Sequence, residues 1–189
     1  MSEDSDLVEK LRQPGTRDAA FRELVVSYQE RLYWHIRRIV LTHDDADDVL
    51  QETFIKVFRN IDGFRGKSKL YSWMYRIATN EALSFLKKHS HMQGMDQEGV
   101  HEHLIENLVA DPYFDGDQAE LQLQKALAAL PEKQRLVFNM KYFQALKYDE
   151  ISEILETSVG ALKASYHLAV KKVRNHLKEK VPEIPGTSD

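Results

Sequence analysis

Apolar residues recur along this chain every three or four positions, and no stretch alternates apolar and β-branched residues with the period of two that a half-buried strand needs. The pattern predicts an all-α fold. A first helix is expected over residues 4–13, stopping at the "PGT" of residues 14–16. A second begins near Thr16 and places Phe21, Leu24, Val25, Tyr28, Leu32 and Ile36 on one stripe. Thr42 or Asp44 caps a third, which runs to about Ile61 and points Ala46, Leu50, Phe54, Val57 and Ile61 at a core. Its opposite side carries Asp48, Gln51, Glu52, Ile55 and Arg59, one apolar residue ringed by polar ones, which is how a partner-binding face looks. The stretch "DGFRGKSK" then interrupts the periodicity as a glycine-containing loop, and a fourth helix follows over about 70–88.

The pattern lapses after residue 90. Residues 91–116 mix glycine, proline and acids around a short apolar patch, as expected of an acidic flexible linker joining a domain over 1–90 to a second over 117–180. In that second domain "QAELQLQKALAAL" leads to Pro131, well placed for the first turn of the next helix. A short helix in "DEISEILE", a tight turn at Thr157 and Ser158, and a longer basic helix then give the layout of a helix-turn-helix. Ile151, Ile154 and Leu155 fall inward, as do Val159, Leu162, Tyr166, Ala169 and Val173. The outward stripe is Gly160, Lys163, Ala164, His167, Leu168 and Lys171, a set suited to base edges and phosphates, although an ordinary amphipathic surface helix shows a similar stripe. Residues 181–189 are expected to be a disordered tail.

Composition narrows the chemistry. With no cysteine there is no disulfide, thiolate metal site or cysteine nucleophile. No apolar run nears the roughly 20 residues of a spanning helix, so membrane insertion is not expected. The N-terminus lacks a signal peptide's basic start and apolar stretch, which predicts a cytoplasmic protein. The net charge of −4 argues against unaided binding to nucleic acid, yet the charge is sorted by segment. Residues 52–90 hold eight Lys or Arg against three acids and 158–180 hold six against one, whereas 89–124 hold eight acids and no Lys or Arg.

The basic loop sits beside Phe64, Tyr71, Trp73 and Tyr75, so unstacked bases could lie on rings while Arg65, Lys67, Lys69 and Arg76 hold a strand's backbone. Phe64 and Asn80 are the better candidates for contact, since Trp73 and Ile77 share a helical face and serve a core equally well. Four histidines, at 89, 91, 101 and 103, invite a zinc reading with Glu102 or Glu106, but their spacing is poor and their segment linker-like. No cofactor is expected. The chain has no phosphate-binding glycine loop, HExxH or nucleophile elbow, so it is not expected to be an enzyme.

Taken together, the succession "DDADDVLQETFIKVFRNIDGFRGKSKLYSWMYRIATNEALSFLK", an acidic linker, and "LPEKQRLVFNMKYFQALKYDEISEILETSVGALKASYHLAVKKVRNHL" resembles the bacterial extracytoplasmic-function sigma factors of the sigma-70 family, over about residues 5–90 and 118–178. The resemblance implies a dissociable initiation subunit of RNA polymerase. Its first domain, 1–90, would be sigma region 2, which binds core polymerase and reads and melts the minus-ten element. Its second, 117–180, would be region 4, which binds the minus-35 element as duplex. By that likeness Asp48, Gln51, Glu52, Ile55 and Arg59 face the clamp helices of the largest subunit. Phe64, Arg65, Lys67, Ser68, Lys69 and Tyr71, with Arg76 and Asn80, surround a flipped non-template base. Lys163, Ala164, His167 and Leu168 face the minus-35 major groove, with Lys171 on the same stripe. The flap of the second-largest subunit, promoter DNA and an anti-sigma factor complete the implied partners, and the linker threads toward the active centre.

Two departures stand out. Where the family commonly has Thr-Val-Lys-Ser-Arg and further arginines, this chain reads "ALKASYHLAVKK", which leaves fewer bidentate contacts to guanine. The serine that usually caps the preceding helix is Lys147, so that helix is expected to rely on Tyr148 packing. A stand-alone helix-turn-helix regulator is the alternative, but it gives the aromatic, basic loop no task.

Overall fold

In the computed structural model, residues 3–114 and 116–180 are described, and among them every regular element is helical. The expected tail, 181–189, lies outside the described residues. Helices α1 (Glu3–Arg12), α2 (Arg17–Val40), α3 (His43–Asn60) and α4 (Leu70–Gln93) form the first unit, with a 3₁₀ turn at Ile61–Gly63 leading into the basic loop. Leu24, Leu32, Ile36, Val57, Ile61, Met74 and Ala78 are fully buried where α2, α3 and α4 meet. The α3 stripe read from the sequence falls inward, with Leu50 partly buried. Thr42 caps α3 by accepting from the Asp45 N–H at 3.3 Å, a contact type worth about 1 kcal/mol. None of these helices is long and apolar enough to cross a membrane.

The linker expectation needs correction. Helix α4 runs on to Gln93 and is stopped by Gly94 in the left-handed region (φ 63°), and a further helix, α5 (Gln97–Ala110), occupies 14 residues of the presumed spacer. Asp96 caps α5 by accepting from the Gly99 N–H at 2.9 Å. Leu104 and Leu108, one turn apart, bury against Leu41. Two leucines on one face suffice to dock a helix that its acids and glycines disguise as a spacer. Beyond α5 the Asp111 carboxylate accepts from Arg37 Nη2 at 2.9 Å and from the His43 N–H at 2.7 Å, while its other oxygen accepts from the Tyr113 N–H at 2.8 Å. Both side chains of the ion pair are buried, at 9% and 4% exposure. Burial disfavours the Asp111 carboxylate, but these N–H donors and the Arg37 charge prevail and hold its pKa below the ordinary value.

The second unit comprises α6 (Gln118–Ala128), α7 (Glu132–Phe138), a π-helical turn at Asn139–Phe143, α8 (Tyr148–Leu155) and α9 (Val159–Lys180). Ala126, Leu127, Leu130, Phe138, Ala169 and Val173 form its own small core. Its remaining apolar residues, among them Leu136, Met140, Ile151, Ile154 and Leu162, continue the core of the first unit. The two units pack directly, α8 against α4 and the π turn against α2.

Polar contacts fix that packing. His35 is fully buried, its Nε2 2.8 Å from Thr79 Oγ1 and its Nδ1 3.0 Å from Gln144 Nε2 of the second unit. Thr79 donates its hydroxyl proton to the Tyr75 carbonyl, so His35 donates from Nε2 and accepts from Gln144 at Nδ1, which is a neutral imidazole. Burial, assisted by the Arg38 charge, drives its pKa down to about 3. Asn139 Nδ2 donates to the Arg38 carbonyl at 3.2 Å.

Candidate nucleic-acid interface

The basic loop is built from its two ends. Phe64 and Leu70 are buried and pin it, while Gly66 takes a left-handed turn (φ 68°) that a Cβ would strain. Arg12 on α1 donates to the Phe64 carbonyl and so fastens the loop from outside. Between the pins Arg65, Lys67 and Lys69 are exposed and Ser68 is partly so, around an open concavity of about 530 Å³ that also takes in Val8 and Glu153. The expectation for Phe64 is corrected here: its side chain is 7% exposed and its ring lies 5.3 Å from that of Trp73. It anchors the loop instead of presenting a face to a base. Tyr71 and Trp73 are partly exposed, and Tyr71 is flanked by Lys69 at 5.5 Å and Arg31 at 5.8 Å. Asn80 is exposed farther along α4.

Two of the cations expected to hold a strand are engaged by the second unit. Lys69 Nζ lies 3.1 Å from Glu150, and Arg76 Nη1 lies 2.6 Å from Glu156. Glu150 also accepts from the Lys147 N–H at 2.9 Å, the reciprocal half of a capping box whose other half the Lys147 side chain cannot supply. Burial raises the Glu150 carboxyl, but the Tyr71 hydroxyl, the Lys147 N–H and Lys69 outweigh it and bring the pKa down to about 2. Tyr71 is pushed up, first by burial and then by that neighbouring carboxylate. Helix α8 therefore replaces the missing serine cap with Glu150, and Tyr148 packs into the core beside Tyr166 as anticipated.

The stripe on α9 is disposed differently. Gly160, Lys163, Ala164, His167, Leu168 and Lys171 are all exposed, and the inward set from Ile151 to Val173 is buried or partly buried. Lys163 leans over the Tyr148 ring at 5.8 Å. On α3, Asp48, Gln51, Glu52, Ile55 and Arg59 all face solvent, with Ile55 41% exposed. A groove of about 1020 Å³ in the second unit is lined by Leu123, Phe138, Tyr142, Tyr166, Val170 and Leu177.

Comparison with known proteins places the chain in one family. Residues 24–92 match the model of Sigma-70 region 2 and residues 120–173 that of Sigma-70, region 4. The chain is 32% identical over 173 residues to the ECF RNA polymerase sigma factor SigW of Bacillus subtilis, covering 87% of this chain and 92% of that protein. The chain belongs to the ECF sigma factors. The ECF RNA polymerase sigma-E factor of Escherichia coli is 30% identical over 180 residues, covering 91% and 93%. Two solved structures share the fold. One is the sigma factor RpoE in complex with the anti-sigma factor NepR from Bartonella quintana, at a TM-score of 0.64 and 20% identity, covering 84% of this chain and 96% of that one. The other is CnrH in complex with the cytosolic domain of CnrY, at 0.67 and 19%, covering 94% and 99%. As a sigma factor the chain is a transcription initiation factor.

Several residues of this sigma factor escape a sequence reading. Arg12 meets Phe64 across 52 positions, and no local pattern signals it. The acids Glu150, Glu153 and Glu156 recur every three positions along α8 and onto its C-cap, a spacing that does announce a charged edge. Among the described residues no group of three His, Asp or Glu is set to hold an ion. His89 packs on Phe85, His103 pairs with Asn107, and the side chain of His101 lies outside the described residues.

Proposed function

We propose that this sigma factor docks on core RNA polymerase through Asp48, Gln51, Glu52, Ile55 and Arg59, with the clamp helices of the largest subunit as the partner. The observation that carries this is Ile55, an apolar side chain in solvent at the centre of a polar ring, while Val49, Phe54 and Val57 of the same helix are buried. Residues 1–90 then act as region 2, with Arg65, Lys67, Ser68, Lys69, Tyr71, Arg76 and Asn80 holding the melted minus-ten strand over a loop set by Phe64. Residues 117–180 act as region 4, with Lys163, Ala164, His167, Leu168 and Lys171 in the minus-35 major groove. The apolar groove of the second unit suits the flap of the second-largest subunit. Residues 91–116, α5 included, leave the first unit and follow the polymerase's nucleic-acid path, for which their acidity suits them. An anti-sigma factor holds the protein in reserve, as the NepR complex of the Bartonella sigma factor suggests. The cell interior is where these partners meet.

Run-off transcription with core polymerase tests the reading. Ile55→Glu should reduce core affinity and promoter-specific transcript at least tenfold, with helicity and thermal unfolding unchanged. Unchanged affinity for core contradicts the docking assignment.

A further inference from the structure

We propose that the acidic edge of α8 and its C-terminal turn is a strand mimic: in the free protein Glu150, Glu153 and Glu156 occupy the places of single-strand phosphates on the minus-ten loop, so the second domain and melted DNA compete for the same cations. The inference rests on the reading of that loop as the strand-binding site. Each of the three acids meets it. Glu150 pairs with Lys69, Glu156 with Arg76, and Glu153 borders the concavity formed by Arg65 through Leu70. Tyr71, a partly exposed ring beside the loop, adjoins the same Glu150. Carboxylates, cations and ring thus reproduce the charge pattern of a strand whose phosphates are held and whose bases stack.

Magnitudes separate what closes the domains from what competes. Glu156 and Lys69 are 71% and 60% exposed, and pairs this open contribute roughly 0–1 kcal/mol each. They cannot hold two domains together. The continuous core through Leu136, Met140, Ile151 and Leu162 and the buried His35 to Gln144 bond do that. The ion pairs set register and exclude another polyanion. The closed form is also unable to initiate. The minus-ten and minus-35 elements lie about 25 base pairs apart, about 85 Å at 3.4 Å per pair, whereas a compact chain of this length has a radius of gyration of about 16 Å. The domains must separate before both elements are read. Because the α3 face is exposed while the loop is engaged, polymerase docking can precede opening, and by linkage whatever opens the domains raises the loop's affinity for DNA.

The test uses E150Q/E153Q/E156Q, which keeps the side-chain shapes and leaves a glutamine able to complete the α8 capping box. Because the chain has no cysteine, V26C/N175C labels the two units cleanly for distance measurement. The free triple variant should bind a random-sequence single strand of about 15 nucleotides about tenfold more tightly than wild type, with a label distance close to that of wild type because the apolar core still holds the domains. Affinity within twofold of wild type overturns the proposal, whether or not the labels separate. Wild type itself offers a second measurement independent of the variant's folding. Its strand affinity should fall less steeply with salt in the free protein than in holoenzyme, since the Lys69 and Arg76 pairs are broken only in the former; equal slopes count against the mimic. The underlying reading fails separately, if holoenzyme carrying K69A/R76A captures the melted strand as well as wild type.

Discussion

The two basic surfaces of this sigma factor are treated oppositely by its fold. On α9 the stripe from Lys163 to Lys171 faces solvent, backed by Ala169 and Val173 in the second unit's own core and by Leu162 in the core it shares with the first. On the first domain Lys69 and Arg76 are engaged by acids from α8, beside a ring whose hydroxyl adjoins one of them. A surface that reads duplex needs only a rigid helix and can stand open. On the proposed reading the strand-capturing surface has no ligand until polymerase opens the DNA, and it is occupied meanwhile by the protein's own carboxylates.

The largest disturbance to that contrast comes from Asp111. Replacing it with Ala leaves Arg37 buried without its partner and removes acceptors from the His43 and Tyr113 N–H groups, a change expected to cost about 3–5 kcal/mol. Urea unfolding should report that loss, and amide exchange should show α5 deprotected. Helix α9 should keep its protection, so a loss spread equally over both domains breaks the comparison.

Acidification comes next and acts from the interface side. His35 has its pKa pushed from 6.5 to about 3, so below pH 6.5 the unfolded chain takes up a proton that the folded chain refuses. Stability is therefore present in full above pH 6.5 and declines as pH falls toward 3. Between pH 7 and pH 5 this one group should cost about 2 kcal/mol, measurable as a lower denaturant midpoint. A His35→Gln variant should lack that part of the pH dependence.

The smallest effect sharpens the contrast from the open side. Lys163→Ala or Lys171→Ala should weaken holoenzyme binding to a promoter by a similar factor across sequences and lower the salt slope by about 1 each. Neither should alter the distance between the domains. Lys69→Ala, by contrast, should weaken capture of the melted strand while the apolar core keeps the domain distance unchanged.

What was legible in the sequence follows from how local each cause is. The periodicity located eight of the nine helices among the described residues, because a stripe such as Leu24, Leu32 and Ile36 is written within one element. The exposed ring around Ile55 and the α9 stripe were legible for the same reason. Helix α5 was missed, because Leu104 and Leu108 bury against Leu41, more than sixty residues earlier. Phe64 was assigned to contact because an aromatic next to cations suggests stacking; that Trp73 covers it depends on how α4 rolls against the loop. The docking of α8 on α4 likewise joins residues 80 or more positions apart, which periodicity within single helices does not register.

One chemical measurement reaches the central claim directly. Zero-length carbodiimide coupling joins an amine to a carboxylate only where they touch, as Lys69 Nζ and Glu150 do at 3.1 Å and Lys56 and Glu81 do, within the first domain, at 2.6 Å. In the free protein both linked peptides should form. In holoenzyme bound to core polymerase the Lys69 to Glu150 peptide should disappear while the Lys56 to Glu81 peptide persists. A Lys69 to Glu150 link absent from the free protein, or present at undiminished yield in a transcribing holoenzyme, would contradict the account.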